Sequence, residues 1–303
     1  MAIKSGYVSI IGKPNTGKST LMNVLLGERL SITTNKPQTT RKKILGILSA
    51  EDYQIIFLDT PGILTPRYLL QEKMLDYVYE SVKDADIILM LIDISDDPTG
   101  KKFLEDEVVN KILSLKSVKK ILAINKVDLS NESEVKKLIE QLESTKMFDK
   151  LIPISAITGY NIAELKQAIL EILPEHPKYY PDDQLSDRNE RFFVSEIIRE
   201  KIFELFHDEI PYSTEIEIED FKERTKGKDY ILANIIVERE TQKPIIIGQD
   251  GISIKKIGKA ARRSIEDFLG REVYLELRVK VKEKWRSDPS LLKKFGYDTS
   301  SEG

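Results

Sequence analysis

A chain of 303 residues is long enough for two domains that each bury a core of their own. With 47 Lys and Arg against 50 Asp and Glu, the net charge of −3 excludes wholesale coating of a nucleic acid and leaves such contact to a local patch. Zero cysteines exclude disulfides and cysteine-held zinc. No apolar run approaches bilayer length and no signal-peptide pattern opens the chain, so composition reads as a soluble, cytoplasmic protein.

The first predicted strand, "YVSIIG" (7–12), runs into "GKPNTGKS", Gly12 to Ser19, and then a helical pattern. This is G-x-x-x-x-G-K-[ST] in the strand–loop–helix setting that its chemistry needs. Gly12 and Gly17 let the backbone bend around phosphates, while Pro14, Asn15, Thr16 and Thr20 line the same turn. Lys18 is placed to reach the β- and γ-phosphates as the principal catalytic cation, and Ser19 to ligate Mg2+ at the positive end of the helix. "KKILGILSA" (42–50) is expected as an antiparallel edge strand beside "YQIIFLD" (53–59). The latter ends in "DTPG", where Asp59 is the candidate metal sensor and Gly62 the contact to the terminal phosphate. Ile63 follows, where small signalling GTPases carry a water-orienting glutamine.

Strands at 86–94, 119–125 and 150–156 follow, separated by helix-like segments. Near-continuous apolar strands alternating with helices predict a mostly parallel, doubly wound α/β domain over residues 1–174. "NKVD", Asn125 to Asp128, closes one strand and is expected to bind guanine, Asn125 included. Asp128 can accept from both the N1–H and the 2-amino group of guanine, where adenine has no matching donors. Lys126 lays its stem across the base, and "SAITG" brings Ser155 and the N–H of Ala156 toward guanine O6.

Together, "GKPNTGKS", "PQTTR", "DTPG", "NKVD" and "SA" resemble the translation-factor-related GTPases. That resemblance implies GTP hydrolysis and favours Thr40 over Thr39 as the switch residue on Mg2+ and the γ-phosphate. It also makes the hydrophobic Ile63 part of the pattern. In related GTPases a potassium ion beside the matching asparagine replaces an arginine finger. The same is expected of Asn15, with the backbone near Lys36 and Gln38.

Residues 175–190 carry prolines and mixed charge and read as an interdomain linker. Beyond it, a helix, two strands, two helices and a strand predict a smaller α+β domain over 191–285, with 286–303 as a tail. Between its helices lies Gly248-Gln249-Asp250-Gly251, a G-x-x-G loop of the kind that clamps four nucleotides. Ile247 precedes it, and Lys255, Lys256, Lys259, Arg262 and Arg263 follow. They form the local basic patch that the net charge calls for. Element order and loop resemble a type II KH domain. The whole, from about Gly6 to Trp285, resembles the bacterial Era family of GTPases. That resemblance implies binding of single-stranded small-subunit ribosomal RNA near its 3′ end, a role in small-subunit assembly and 3′-end maturation, and peripheral association with the inner face of the cell membrane. The competing reading is a GTPase switch whose C-terminal domain recruits a protein.

Overall fold

The computed structural model describes residues 2–297 and divides the chain into two compact units. One comprises the residues up to Thr65 together with Met74–Asp187; the other comprises Pro66–Lys73 and the chain from Arg188 onward.

The first unit is a six-stranded sheet in the order β2-β3-β1-β4-β5-β6. Its strands are β1 (Lys4–Gly12), β2 (Ile44–Ser49), β3 (Tyr53–Asp59), β4 (Ile87–Asp93), β5 (Lys119–Asn125) and β6 (Lys150–Pro153). Only β2 runs antiparallel, pairing Ile44 with Asp59 and Ser49 with Gln54. The helices are α1 (Lys18–Leu26), α2 (Leu69–Lys83, of which the part from Met74 belongs to this unit), α3 (Lys101–Leu104), α4 (Glu107–Leu113), α5 (Glu132–Ser144) and α6 (Ile162–Ile172). The central strands are apolar on both faces because helices cover both. Every residue of β4 is buried, and Ile88, Met90 and Ile92 pack against Val109, Ile112, Leu138 and Leu142. The sheet meets the sequence expectation, including the antiparallel edge.

The stretch expected as a linker is largely built into this unit. Gln54, fully buried on β3, accepts the N–H groups of Tyr179 (2.8 Å) and Tyr180 (3.0 Å) on Oε1 and donates to the Tyr180 carbonyl (2.8 Å). Ile47 of the edge strand donates to the Leu185 carbonyl at 2.9 Å, and Ser186 donates to the Leu45 carbonyl at 2.5 Å. An edge strand presents unpaired backbone groups, and Leu185 and Ser186 satisfy two of them, which composition alone does not reveal.

The second unit holds α7 (Glu190–Leu205), β7 (Glu215–Lys222), β8 (Asp229–Val237), α8 (Lys243–Ile247), α9 (Ile252–Leu269), β9 (Val273–Val281) and α10 (Pro289–Lys294). Its sheet runs β7-β8-β9, the first pair antiparallel and the second parallel. Val194, Ile198 and Ile202 of α7 and Ile257, Ala261 and Ile265 of α9 cover Ile231, Ala233 and Ile235 on one face. The tail expected from 286 is corrected as far as Tyr297. Trp285, Leu292, Phe295 and Tyr297 are buried, Trp285 Nε1 donates to the Ser213 carbonyl (2.8 Å), and the Tyr297 hydroxyl donates to Glu215 (2.6 Å). Five apolar and aromatic residues in the thirteen from Trp285 to Tyr297 are too few to signal a core segment by periodicity. The remainder of that expected tail lies outside the described residues.

Candidate functional site

The loop between β1 and α1 is shaped by close approaches. Gly17 has φ +93°, and a Cβ there would lie 2.3 Å from Asn125 Nδ2. A Cβ on Gly12 would lie 2.7 Å from the Leu91 carbonyl oxygen and 2.8 Å from Thr16 Oγ1. Gly62 is pressed against the same loop: its Cβ would meet the Pro14 nitrogen at 2.7 Å. The Ile63 N–H donates to the Gly12 carbonyl at 3.1 Å, while its side chain is buried in the core beside Ile11. The residue after the Asp-x-x-Gly motif therefore offers nothing to a water.

Lys18 is buried and donates to the carbonyls of Gly12 (3.0 Å) and Lys13 (2.8 Å). Burial lowers its pKa to about 8, with Asp59 opposing. An ammonium held this way is short of counter-charge, which phosphate oxygens supply.

Beside it, three oxygen-bearing side chains converge. Ser19 Oγ donates to Asp59 Oδ2 at 2.7 Å and stands 2.8 Å from Thr40 Oγ1. Asp59 is fully buried, and its Oδ1 has no hydrogen-bond partner among the described residues. Burial pushes its carboxyl pKa up, while Ser19, Lys18 and Ser31 pull it down. Two hydroxyls and a carboxylate with an unsatisfied oxygen fit a hard divalent cation such as Mg2+. The structure brings Thr40, not Thr39, to this cluster; Thr39 donates to the Lys36 carbonyl at 2.7 Å. Sequence reading missed Ser31, which donates to Asp59 Oδ2 at 2.9 Å, and Asn23, whose amide grips the Ser31 backbone N–H (2.9 Å) and carbonyl (2.8 Å). Neither lies in a recognised motif, so no local signal marks them.

A cavity of about 360 Å³ opens over this cluster, lined by Pro14, Asn15, Thr20, Lys36, Gln38 and Lys126 among others. Asn15 has φ +64° and donates from Nδ2 to the Asn35 carbonyl at 3.2 Å. Asn125, directed at the base by the sequence reading, uses its buried amide as a brace. Nδ2 donates to the Thr16 carbonyl (2.8 Å), and Oδ1 accepts the Ala156 N–H (3.0 Å). The N–H expected to meet guanine O6 is thus engaged by Asn125. Lys126 is ion-paired with Asp93, and buried Ser155 accepts the Thr158 N–H at 3.3 Å. Asp128 is exposed and has no hydrogen-bond or ion-pair partner among the described residues. Ile157, which no motif singles out, is 82% exposed at the cavity rim, an apolar surface of the kind a base covers.

In the second unit, Gly248 (φ +72°) and Gly251 (φ +75°) flank an exposed Gln249 and an Asp250 that is itself left-handed at φ +52°. A Cβ on Gly248 would lie 2.3 Å from Ser253 Oγ, whereas one on Gly251 would meet nothing closer than 3.8 Å. The first glycine is needed for packing against α9; the second leaves an open approach. Lys255, Lys256, Lys259, Arg262 and Arg263 are all exposed along α9, with no ion pairs among the described residues. Ile247 is half-buried at the loop's entrance, and Ile252 is 63% exposed beside it.

Comparison with known proteins matches both domains to known families. Residues 7–126 match the family described as 50S ribosome-binding GTPase, and residues 209–286 match the KH domain. GTPase Era of Geotalea daltonii is 45% identical over 294 residues, covering 97% of this chain and 98% of that one. The chain belongs to the Era GTPase family. Its chloroplastic members are as similar: GTPase ERA1 of Zea mays is 46% identical over 296 residues, covering 97% of this chain and 70% of that protein. A solved Era structure, in complex with MgGDPNP and nucleotides 1506–1542 of 16S ribosomal RNA, superposes with a TM-score of 0.91 at 40% identity, covering 97% of this chain and 99% of its own. Aquifex aeolicus Era, solved as a variant bound to GDP.AlF4−, gives 0.91 at 39% identity, covering 97% and 99%. In this Era-family chain the KH match stops at residue 286, while the packed segment continues to Tyr297.

Proposed function

We propose that this chain binds and hydrolyses GTP and binds single-stranded RNA near the 3′ end of small-subunit ribosomal RNA, serving small-subunit assembly and 3′-end maturation. One observation carries the reading. A phosphate cradle and an exposed, unpartnered Asp128 occur in one chain with an open glycine loop heading a basic helix, in a family whose solved member holds MgGDPNP and 16S ribosomal RNA.

GTP lies with its phosphates in the Gly12–Ser19 loop, where Lys18 and the first N–H groups of α1 receive negative charge. Asp128 accepts from the guanine edge, Lys126 and Ile157 flank the base, and Asn125 holds the Thr16 and Ala156 loops at the right separation. Ser19, Thr40 and Asp59 are the residues that hold Mg2+, which when bound neutralises phosphate charge. Gly62 and Thr40 approach the γ-phosphate and make the site sensitive to its loss. With Ile63 buried, no side chain of the motifs orients the attacking water, so isolated turnover is slow. Asn15 Oδ1, with backbone carbonyls near Lys36 and Gln38, is the proposed seat of an activating K+, since Nδ2 is already committed to Asn35. Turnover of the wild type and Asn15→Ala in matched potassium and sodium buffers tests this, and equal rates in both salts would remove the cation. In the second unit, phosphodiester oxygens approach at Gly251, and Lys255, Lys256, Lys259 and Arg262 add charge. Peripheral membrane association stays a proposal for vesicle co-sedimentation; among the described residues no helix is long and apolar enough to cross a membrane.

The deciding experiment is crosslinking to a 3′-end ribosomal RNA segment. Gln249→Asp sets a second carboxylate beside Asp250 and is expected to abolish crosslinking while GTP affinity stays unchanged. RNA that crosslinks equally to both forms, or to neither, would sink the reading and favour recruitment of a protein.

A further inference from the structure

We infer that Asp93 is a positioning residue for guanine recognition: it holds the Lys126 ammonium and so fixes the lysine stem along the base plane. The inference rests on the proposed place of Lys126 beside the base. Asp93 ends β4 and stands in register with Asn125, the last residue of β5. It is 8% exposed, and its two oxygens have separate tasks. Oδ1 accepts the Ser95 N–H at 3.0 Å and the Ser95 hydroxyl at 2.6 Å, so the turn after the strand locks the carboxylate's direction. Its backbone carbonyl closes that turn by accepting the N–H groups of Asp96 and Asp97. Oδ2 is left for Lys126 Nζ, at 2.5 Å.

Lys126 needs such a partner. Its φ of +65° turns the chain sharply at the strand end. Lys126 lines both the nucleotide cavity and a second cavity of about 370 Å³, which Asp93 also lines. A flexible four-carbon stem at such a boundary has rotamers leading to either space. The ion pair selects one. Other charges around the second cavity are already matched. Lys13 pairs with Asp106 at 3.4 Å, Lys102 pairs with Asp96 at 3.0 Å, and Asp97 accepts the Phe103 N–H at 2.8 Å. Asp93 is therefore the anion assigned to Lys126, and no step of the proposed hydrolysis uses it for anything else.

The test uses the full chain with fluorescent GDP and with GTP turnover. Asp93→Asn retains an oxygen to accept from Ser95 but removes the charge facing Lys126. The expected result is a roughly tenfold loss of guanine-nucleotide affinity. KM rises while kcat at saturating GTP is unchanged, and Asp93→Glu recovers part of the loss. Ser95→Ala loosens the carboxylate without touching the pair and should weaken affinity by a smaller factor, which keeps the test usable if Asp93→Asn folds poorly. In a Lys126→Ala background neither substitution should cost anything further. If Lys126→Ala itself leaves affinity intact, the base-plane reading is wrong. If Lys126→Ala weakens binding but Asp93→Asn does not, or if the two losses multiply in the double variant, the positioning role is refuted and that reading survives.

Discussion

Asn125→Ala separates a brace from a base contact. The buried amide of Asn125 makes two hydrogen bonds, to the Thr16 carbonyl at 2.8 Å and from the Ala156 N–H at 3.0 Å. Truncation removes both and leaves their backbone partners unpaired, each costing about 1–3 kcal/mol in a buried setting. Cβ of alanine reaches neither group, and the space beside Gly17, where Nδ2 now lies, is vacated. Water entering from the nucleotide cavity recovers part of this, so a loss of about 2–4 kcal/mol is expected for the nucleotide-free protein. For a domain of this size each kcal/mol lowers Tm by roughly 2–4 °C, giving a drop on the order of 4–16 °C. Differential scanning of the nucleotide-free chain reads this, and calorimetric titration reads the accompanying loss of GTP affinity. An unchanged Tm with GTP affinity abolished would refute the argument, because Asn125 would then act on the base alone.

Asp128→Asn is expected to lower GTP affinity and to favour xanthine nucleotides, whose edge presents an acceptor in place of the 2-amino donor; unchanged GTP affinity in a titration would show that Asp128 is not at the base. Arg271 hydrogen-bonds Asp229 at 2.6 Å and holds its carboxyl below the usual range, helped by the Arg224 N–H at 2.8 Å. Stability from a depressed carboxyl is present above the unfolded value of about 3.9 and is lost as pH falls through the folded value. Wild type should therefore shed Tm below about pH 4 more steeply than Asp229→Asn, and parallel acid limbs would contradict this. Pro66–Lys73 begins four residues after Gly62 of the Asp59–Gly62 motif yet belongs to the second unit. Spin labels paired across the two units should thus report different distance distributions with a GTP analogue and with GDP, and identical distributions would exclude nucleotide coupling through this segment.

Much of this protein is legible in one dimension because its chemistry is local. A phosphate loop needs glycines, a lysine and a hydroxyl at fixed spacing between a strand and a helix, and Gly12, Gly17, Lys18 and Ser19 satisfy that within eight residues. The Asn125–Asp128 motif, proposed to bind guanine, and the Gly248–Gly251 loop are equally compact signals, and apolar runs long enough for doubly covered strands announce the sheet. What the tertiary structure decided are pairings across long stretches of chain. Asn125 reaches Thr16, Ser31 reaches Asp59, Asp93 reaches Lys126, and Gln54 fastens Tyr179 and Tyr180. Ser31, Asp93 and Gln54 are ordinary polar side chains by composition, and even Asn125, marked by its motif, gains its bracing partners only when folding buries it beside them. Burial makes an unpaired polar group costly, and that cost is set by what lies across the fold, which no local pattern encodes. The segment from Trp285 to Tyr297 and the strap along β2 follow the same rule: their sequences look like tail and linker, and a pre-existing surface elsewhere in the chain makes them structure.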